Sequence, residues 1–203
     1  MTKITERGMI FNGEMVRALL SGRKTQTRRI IKPQPEVTLS GSLSGKWLSR
    51  PLNGLLLPKI EDIAIHCPFG AVGDRIWVRE TWGVVSHAFS DDGLMIDWVP
   101  DRPATAIHEM PFGNGYYSGY AIYATDGDFT WGDDDGYEDG RWCWKPSIHM
   151  PRAASRILLE ITDVRVERLR SMSQDDARAE GVIAASGPME AGLAFRELWD
   201  SIY

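Results

Sequence analysis

The chain has 203 residues, 43% of them hydrophobic and 25% charged, with a formal net charge of −5. That length allows one domain with a sizeable core, or a small domain carrying a large insertion. The acidic balance excludes a protein that coats nucleic acid through bulk electrostatics.

Two cysteines, Cys67 and Cys143, are too few for a disulfide framework. The first residues lack the apolar run of a signal peptide, and no stretch reaches the roughly 18 to 20 apolar residues of a membrane-spanning helix. A cytoplasmic protein with no membrane role is expected. Charge is unevenly spread: before Pro33, eight basic residues, Lys3, Arg7, Arg17, Arg23, Lys24, Arg28, Arg29 and Lys32, face only Glu6 and Glu14. Acid gathers at Asp126, Asp128, Asp133, Asp134, Asp135, Glu138 and Asp139.

In chain order, Asn12-Gly13-Glu14 followed by Met15, Val16, Leu19 and Leu20 predicts a capped amphipathic helix that Gly22 ends. Residues 25–31 alternate, and are β-branched, enough for a strand stopped by Pro33 and Pro35. Residues 32–58, rich in Pro, Gly, Ser and Leu, read as a surface loop, and residues 60–65 as a short strand. Val72-Gly73-Asp74 then turns into a strand running to Trp82, with Ile76, Val78 and Glu80 on one face and Trp77 and Arg79 on the other.

Residues 83–144 read as a loop-rich insertion with strands at 94–99 and 120–125. Residues 156–169 carry apolar rows at Ile157, Leu159 and Ile161 and at Val164 and Val166, which predict a long strand bent near Thr162-Asp163. Ser173-Gln174-Asp175-Asp176 has capping-box character with Asp in place of Glu, and Gly181 can end the short helix that follows, leaving Glu180 at its C-terminus. Leu193, Phe195, Leu198, Trp199 and Ile202 mark a final helix.

Gly22-x-Lys24-x-x-Thr27-x-Arg29, directly after a short amphipathic helix, resembles the G-x-K-x-x-x-x-R signature of the ASCH family of PUA-like proteins, with Thr where many members have Glu. The Gly-Asp turn, the strand at 156–169 and the Ala177-Arg178-Ala179-Glu180-Gly181 helix follow in the order such domains use. Cys67-Pro68-Phe69-Gly70, Trp77-Val78-Arg79-Glu80-Thr81-Trp82 and Lys145-Pro146-Ser147-Ile148-His149-Met150-Pro151-Arg152 are similar to a prophage-type branch of that family. The resemblance implies an α+β fold, a PUA-like β-barrel flanked by short helices. One ASCH-like domain would then span residues 1–203, with 83–144 inserted in it. Domains of this type close the barrel with a strand after the last helix, whereas this sequence stops in or just beyond that helix. A shortened barrel, or one closed differently with an edge open to association, is therefore expected.

The resemblance extends to bacterial N(4)-acetylcytidine amidohydrolases, and by position it implies Lys24, Thr27 and Glu180 as a catalytic set. Amide hydrolysis needs a nucleophile, a base and donors for the oxyanion. Thr27 offers a hydroxyl or positions water, Lys24 serves as base if burial lowers its pKa, and Glu180 relays a proton to the leaving amine. Lys24 and Thr27 are separated by an odd number, so a regular strand would send them to opposite faces; a bend at Lys24 is expected.

Arg23, Arg28 and Arg29 are assigned to the ligand, Arg29 through planar bidentate contacts. Trp77, Arg79, His149 and Arg152 line the same cleft. The competing reading of this charge run is a solvated basic edge. Trp82, Trp142 and Trp144 can stack on bases but ordinarily sit in cores. His66, Cys67, Cys143 and His149 lack a C-x-x-C pair, so no metal and no cofactor are assigned. The acidic stretch lacks an intact EF-hand pattern.

Three functions fit: a module that binds RNA, DNA or a modified nucleoside by recognising a base in a basic cleft; a hydrolase, either an amidohydrolase or a ribonuclease; or a protein-interaction factor that uses the acidic insertion.

Overall fold

A computed structural model describes residues 4–37, 43–44, 60–131, 143–183 and 190–202. The fold is α+β, and its contacts gather into two compact units, residues 1–17 with 75–160 and residues 18–74 with 161–203.

In the first unit, β1 (Glu6–Ile10), β4 (Arg75–Arg79) and β10 (Leu158–Glu160) form a three-stranded sheet. Its centre is β4, parallel to β1 with Met9 opposite Val78 and antiparallel to β10 with Leu159 opposite Ile76. Burial alternates along β4 as the sequence predicts: Ile76, Val78 and, one step on, Glu80 face inward, while Trp77 and Arg79 are half-buried. Gly8 lies against the Trp77 ring, where a Cβ would come within 2.6 Å of Cζ2.

The segment read as an insertion contains a second sheet, in the order β5 (Trp82–Val85), β9 (Gly115–Tyr123), β8 (Thr105–Phe112), and a hairpin of β6 (His87–Phe89) and β7 (Met95–Asp97). Trp82, Ile107, Met110, Ala121, Tyr123, Met150 and Ala154 pack into one core, so the segment shares its hydrophobic centre with residues on both sides of it, Trp82 before and Met150 and Ala154 after. Of the strands expected there, the first is β7, and the second begins five residues earlier, as β9, and ends at Tyr123; Ala124–Asp126 is a 3-10 turn.

Helix α1 (Gly13–Leu20) starts as predicted, with the Asn12 side-chain oxygen accepting from Met15 N at 2.8 Å, and Gly22 takes φ 72° just beyond its end. In the second unit, β2 (Glu36–Val37) and β3 (Leu43–Ser44) pair briefly, and Leu43 is buried with Ile63, so part of the expected surface loop contributes to a core. Helix α2 (Gln174–Ala179) packs on α3 (Ala191–Ile202) through Ala177, Ala191 and Phe195.

Three expectations are corrected. Residues 25–31 form no strand, because the amides of Thr25 and Gln26 both donate to the Ala179 carbonyl and no ladder follows. Ile60–His66 is a 3-10 helix, whose three-residue turn stacks Ile60 and Ile63 on one side; the apolar spacing fits that period better than alternation. The strand expected over 156–169 shrinks to Leu158–Glu160: backbone pairing runs on only to Ile161, which meets Asp74 and Gly73 at the turn into β4, and the chain beyond carries ion pairs such as Arg165 with Asp163 and Glu167. Among the described residues the sheets do not close into a barrel.

Residues 133–139, most of 32–58, Trp142 and Tyr203 lie outside the described residues. No helix among those described is long and apolar enough to cross a membrane.

Candidate functional site

The site lies in the second unit, where the chain that leaves the last turn of α1 through Gly22 meets α2, ended by Gly181. After Gly22 the chain turns back so that Lys24 N donates to Ala18 O at 3.0 Å. Across from it, α2 is opened by a capping box in which Ser173 Oγ accepts from Asp176 N and the Asp176 carboxylate accepts from Ser173 N. It ends at Glu180, and Gly181 follows at φ 88°. A Cβ on Gly181 would lie 2.8 Å from the Ala18 Cβ and 3.0 Å from the Lys24 Cβ, so the approach of the two segments needs glycine there twice over, for its backbone and for its missing side chain. Lys24 and Glu180 meet as an isolated antiparallel bridge.

Their side chains then pair. Lys24 Nζ donates to Glu180 Oε2 at 2.7 Å and to the Glu180 carbonyl at 2.9 Å, with the two side chains only 1% and 5% exposed. Burial pushes the Lys24 ammonium below its ordinary value; Glu180 opposes that fall, and Arg29 and Arg28 add to it.

The other oxygen of Glu180 belongs to Arg28. Its Nη1 donates to Oε1 at 3.1 Å and to Gln26 Oε1 at 3.0 Å, while its Nη2 meets Glu167 Oε2 at 3.0 Å and Asp176 Oδ1 at 3.3 Å. Burial works against the charge on Arg28, but hydrogen bonds and charge from Glu167 and Glu180 outweigh it and raise its pKa. Asp176 is held down to about 2, chiefly by the hydrogen bonds from Ser173.

Thr27 is half-buried, and its hydroxyl accepts from Arg29 Nη1 at 3.0 Å. Arg29 Nη1 also donates to the Arg28 carbonyl at 2.9 Å. Because residues 25–30 are not a strand, the alternation that would send Lys24 and Thr27 to opposite faces does not operate. Among the described residues no hydrogen bond joins Thr27 to Lys24 or Glu180. Arg23 is exposed and holds Ser21 Oγ at 3.0 Å and the Gly181 carbonyl at 3.4 Å.

The structure therefore joins Lys24, Glu180 and Arg28 in one network, with Thr27 and Arg29 as a second, adjacent pair in sequence. The remaining assigned residues belong to the first unit. Arg79 stacks over the Trp77 ring at 5.0 Å and donates to the Met150 carbonyl; Arg152 pairs with Glu6 at 2.9 Å; His149 is exposed. Trp82, one of the stacking candidates, is fully buried, and Trp144 packs edge-on to Trp131.

Sequence reasoning missed a second buried charge cluster, in the first unit. Glu80 is 1% exposed; Arg156 grips it with two nitrogens at 3.0 Å each and also reaches Asp126 at 2.7 Å and 3.0 Å. Thr125 donates to Glu80, and Arg156 lies 3.9 Å from the centre of the Tyr123 ring. A signal existed: a glutamate in register with Ile76 and Val78 on a buried face must find a cation. Beside Thr125, with Gly13, Arg17, Thr81 and Ala124, is an open hollow of about 100 Å³, room for a few waters. That falls well short of the roughly 300 Å³ at which small-molecule pockets begin.

Comparison of the chain with protein-family models, with curated proteins and with solved structures finds no match in any of the three.

Proposed function

We propose that the chain is an ASCH-like protein whose Lys24–Glu180 pair acts on a base or nucleoside, and that the chemistry is hydrolysis of an acylated exocyclic amine of the N(4)-acylcytidine kind. The observation that carries this reading is the buried Lys24 ammonium, bonded to Glu180 and pushed below its ordinary pKa by its surroundings. A lysine that only neutralised phosphate would gain from staying in water and fully charged; one that takes up protons gains from burial.

In this scheme neutral Lys24 takes the proton of a water, or of the Thr27 hydroxyl, as its oxygen attacks the acyl carbon. Arg29, already donating to Thr27 Oγ1, favours negative charge on that oxygen. The C–N bond then breaks, and the proton returns through Glu180 to the leaving amine. If Thr27 attacks, water clears the ester in a second round, so that each turnover consumes one water and releases a carboxylic acid and the free amine. The PUA-like barrel belongs to the same proposal; the turn at Val72-Gly73-Asp74 into β4 and the order of α1, the Lys24 segment and α2 support it.

A second reading, capture of an RNA or DNA strand, is favoured by one observation, the exposed side chain of Arg23. Arg28 contributes little to it, since carboxylates already occupy both of its terminal nitrogens. The test is incubation with a panel of acylated cytidine nucleosides beside labelled RNA and DNA at several salt concentrations. Turnover that ignores salt is expected. Strand affinity that falls steeply with salt, with no turnover, would replace this reading by the second.

A further inference from the structure

Arg28, assigned from sequence to the ligand, faces the wrong way for that task. Its side chain is 16% exposed, and its terminal nitrogens reach Glu180, Glu167 and Asp176, each from a different bearing. Those last two are fixed in turn: Asp176 by the cap of α2, and both by Arg165, which lies 3.2 Å from Glu167 and 3.8 Å from Asp176. The guanidinium is thus a planar fork anchored on one side and presented to a single oxygen of Glu180 on the other.

Resting on the reading of Lys24 and Glu180 as the reacting pair, we propose that Arg28 is a positioning residue, which aims the Glu180 carboxylate at Lys24 and supplies the positive charge this carboxylate needs once the lysine has given up its proton. With Lys24 as its only partner, a carboxylate 5% exposed would be stranded by deprotonation of the lysine and would take the proton itself. The pair would then swap one proton between its members and do no outward work. Arg28 removes that trap, because a guanidinium stays charged across the accessible pH range.

The charges acting on Lys24 are those of Glu180, which favours the ammonium, and of Arg29 and Arg28, which both favour the neutral lysine. Glu167 and Asp176 stand behind Arg28 and hold it in place.

Two substitutions separate charge from position. Arg28→Gln removes the charge, and the Lys24 side-chain resonance, followed by NMR against pH and assigned with Lys24→Arg, is expected to titrate at higher pH than in the parent. Arg28→Lys keeps the charge but cannot fork three carboxylates. It is expected to leave the Lys24 midpoint near the parent value while acylcytidine turnover falls about tenfold, and it carries the test if Arg28→Gln does not fold. A Lys24 midpoint unmoved in folded Arg28→Gln, or parental turnover in Arg28→Lys, overturns the proposal. A shifted midpoint in a protein that turns over no acylated nucleoside keeps Arg28 in this role and sinks only the hydrolase reading.

Discussion

Two buried glutamates, one in each unit, show how the choice of cation changes what a buried carboxylate can do. Glu80 is gripped by Arg156 and Thr125, and Glu180 by Lys24 and Arg28. In the first cluster the cation is an arginine, which serves two carboxylates, and burial above all pushes the hydroxyl of the tyrosine beneath it, Tyr123, up to about 12. In the second, one of the two cations is a lysine whose charge the site itself weakens, and an arginine stands by to hold the carboxylate without it. Burial of charge is common to both, so it does not by itself mark a reactive centre; the proposal for the second cluster rests on its titratable cation and the arginine beside it.

The largest expected effect tests the first half of that contrast. Arg156→Met leaves Glu80 buried with no cation, and urea unfolding is expected to lose about 3 to 5 kcal/mol. Lys24→Met is expected to lose less, about 1 to 3 kcal/mol, because Glu180 keeps Arg28. Equal losses would mean that the two clusters are built alike.

The contrast also has a pH signature. Tyr123 has its folded pKa raised from 10.0 to about 12, so its contribution is complete below 10.0 and is lost as pH rises through about 12. Lys24 has its folded pKa lowered from 10.5; between the lowered value and 10.5 the unfolded chain binds more protons, so this group's contribution grows as pH rises. Stability measured from about pH 8 to 11 should therefore fall less steeply in Tyr123→Phe than in the parent and more steeply in Lys24→Met. Parallel curves would contradict both assignments.

The smallest effect concerns the frame of the second cluster. Ser173→Ala removes the α2 cap and is expected to cost about 1 kcal/mol. It should also raise the Asp176 carboxyl from about 2, moving acid sensitivity to higher pH, since a depressed carboxylate stabilises above its unfolded value of 3.8 and stops doing so as pH falls through the folded one.

What was legible in the sequence follows the same local logic. The start and stop of α1, the turn at Gly73, the capping box with Asp176 and the glycine after Glu180 are written within four or five residues of each other, and the structure has them all. Strand β1 carried no comparable signal and was missed; it exists because β4 pairs with it from far along the chain. The strand expected over 25–31 failed, and the one expected over 156–169 shrank to β10, for the same reason in reverse: alternation supplies a pattern, but a ladder needs a partner.

The meeting of Lys24 with Glu180 spans 156 residues and could be expected only through the ASCH resemblance. That Arg28 would be claimed by Glu167 and Asp176 was beyond both spacing and resemblance, because a basic run looks the same whether it faces water or a ring of carboxylates.

The proposed chemistry requires the amine at position 24. Incubating an N(4)-acylated cytidine with parent protein and with Lys24→Arg, each verified as folded by urea titration, tests that requirement directly. Free cytidine should accumulate with the parent and not with the variant, since a guanidinium keeps the ion pair to Glu180 but cannot accept a proton. Equal release by both proteins, or none by the parent, would contradict it.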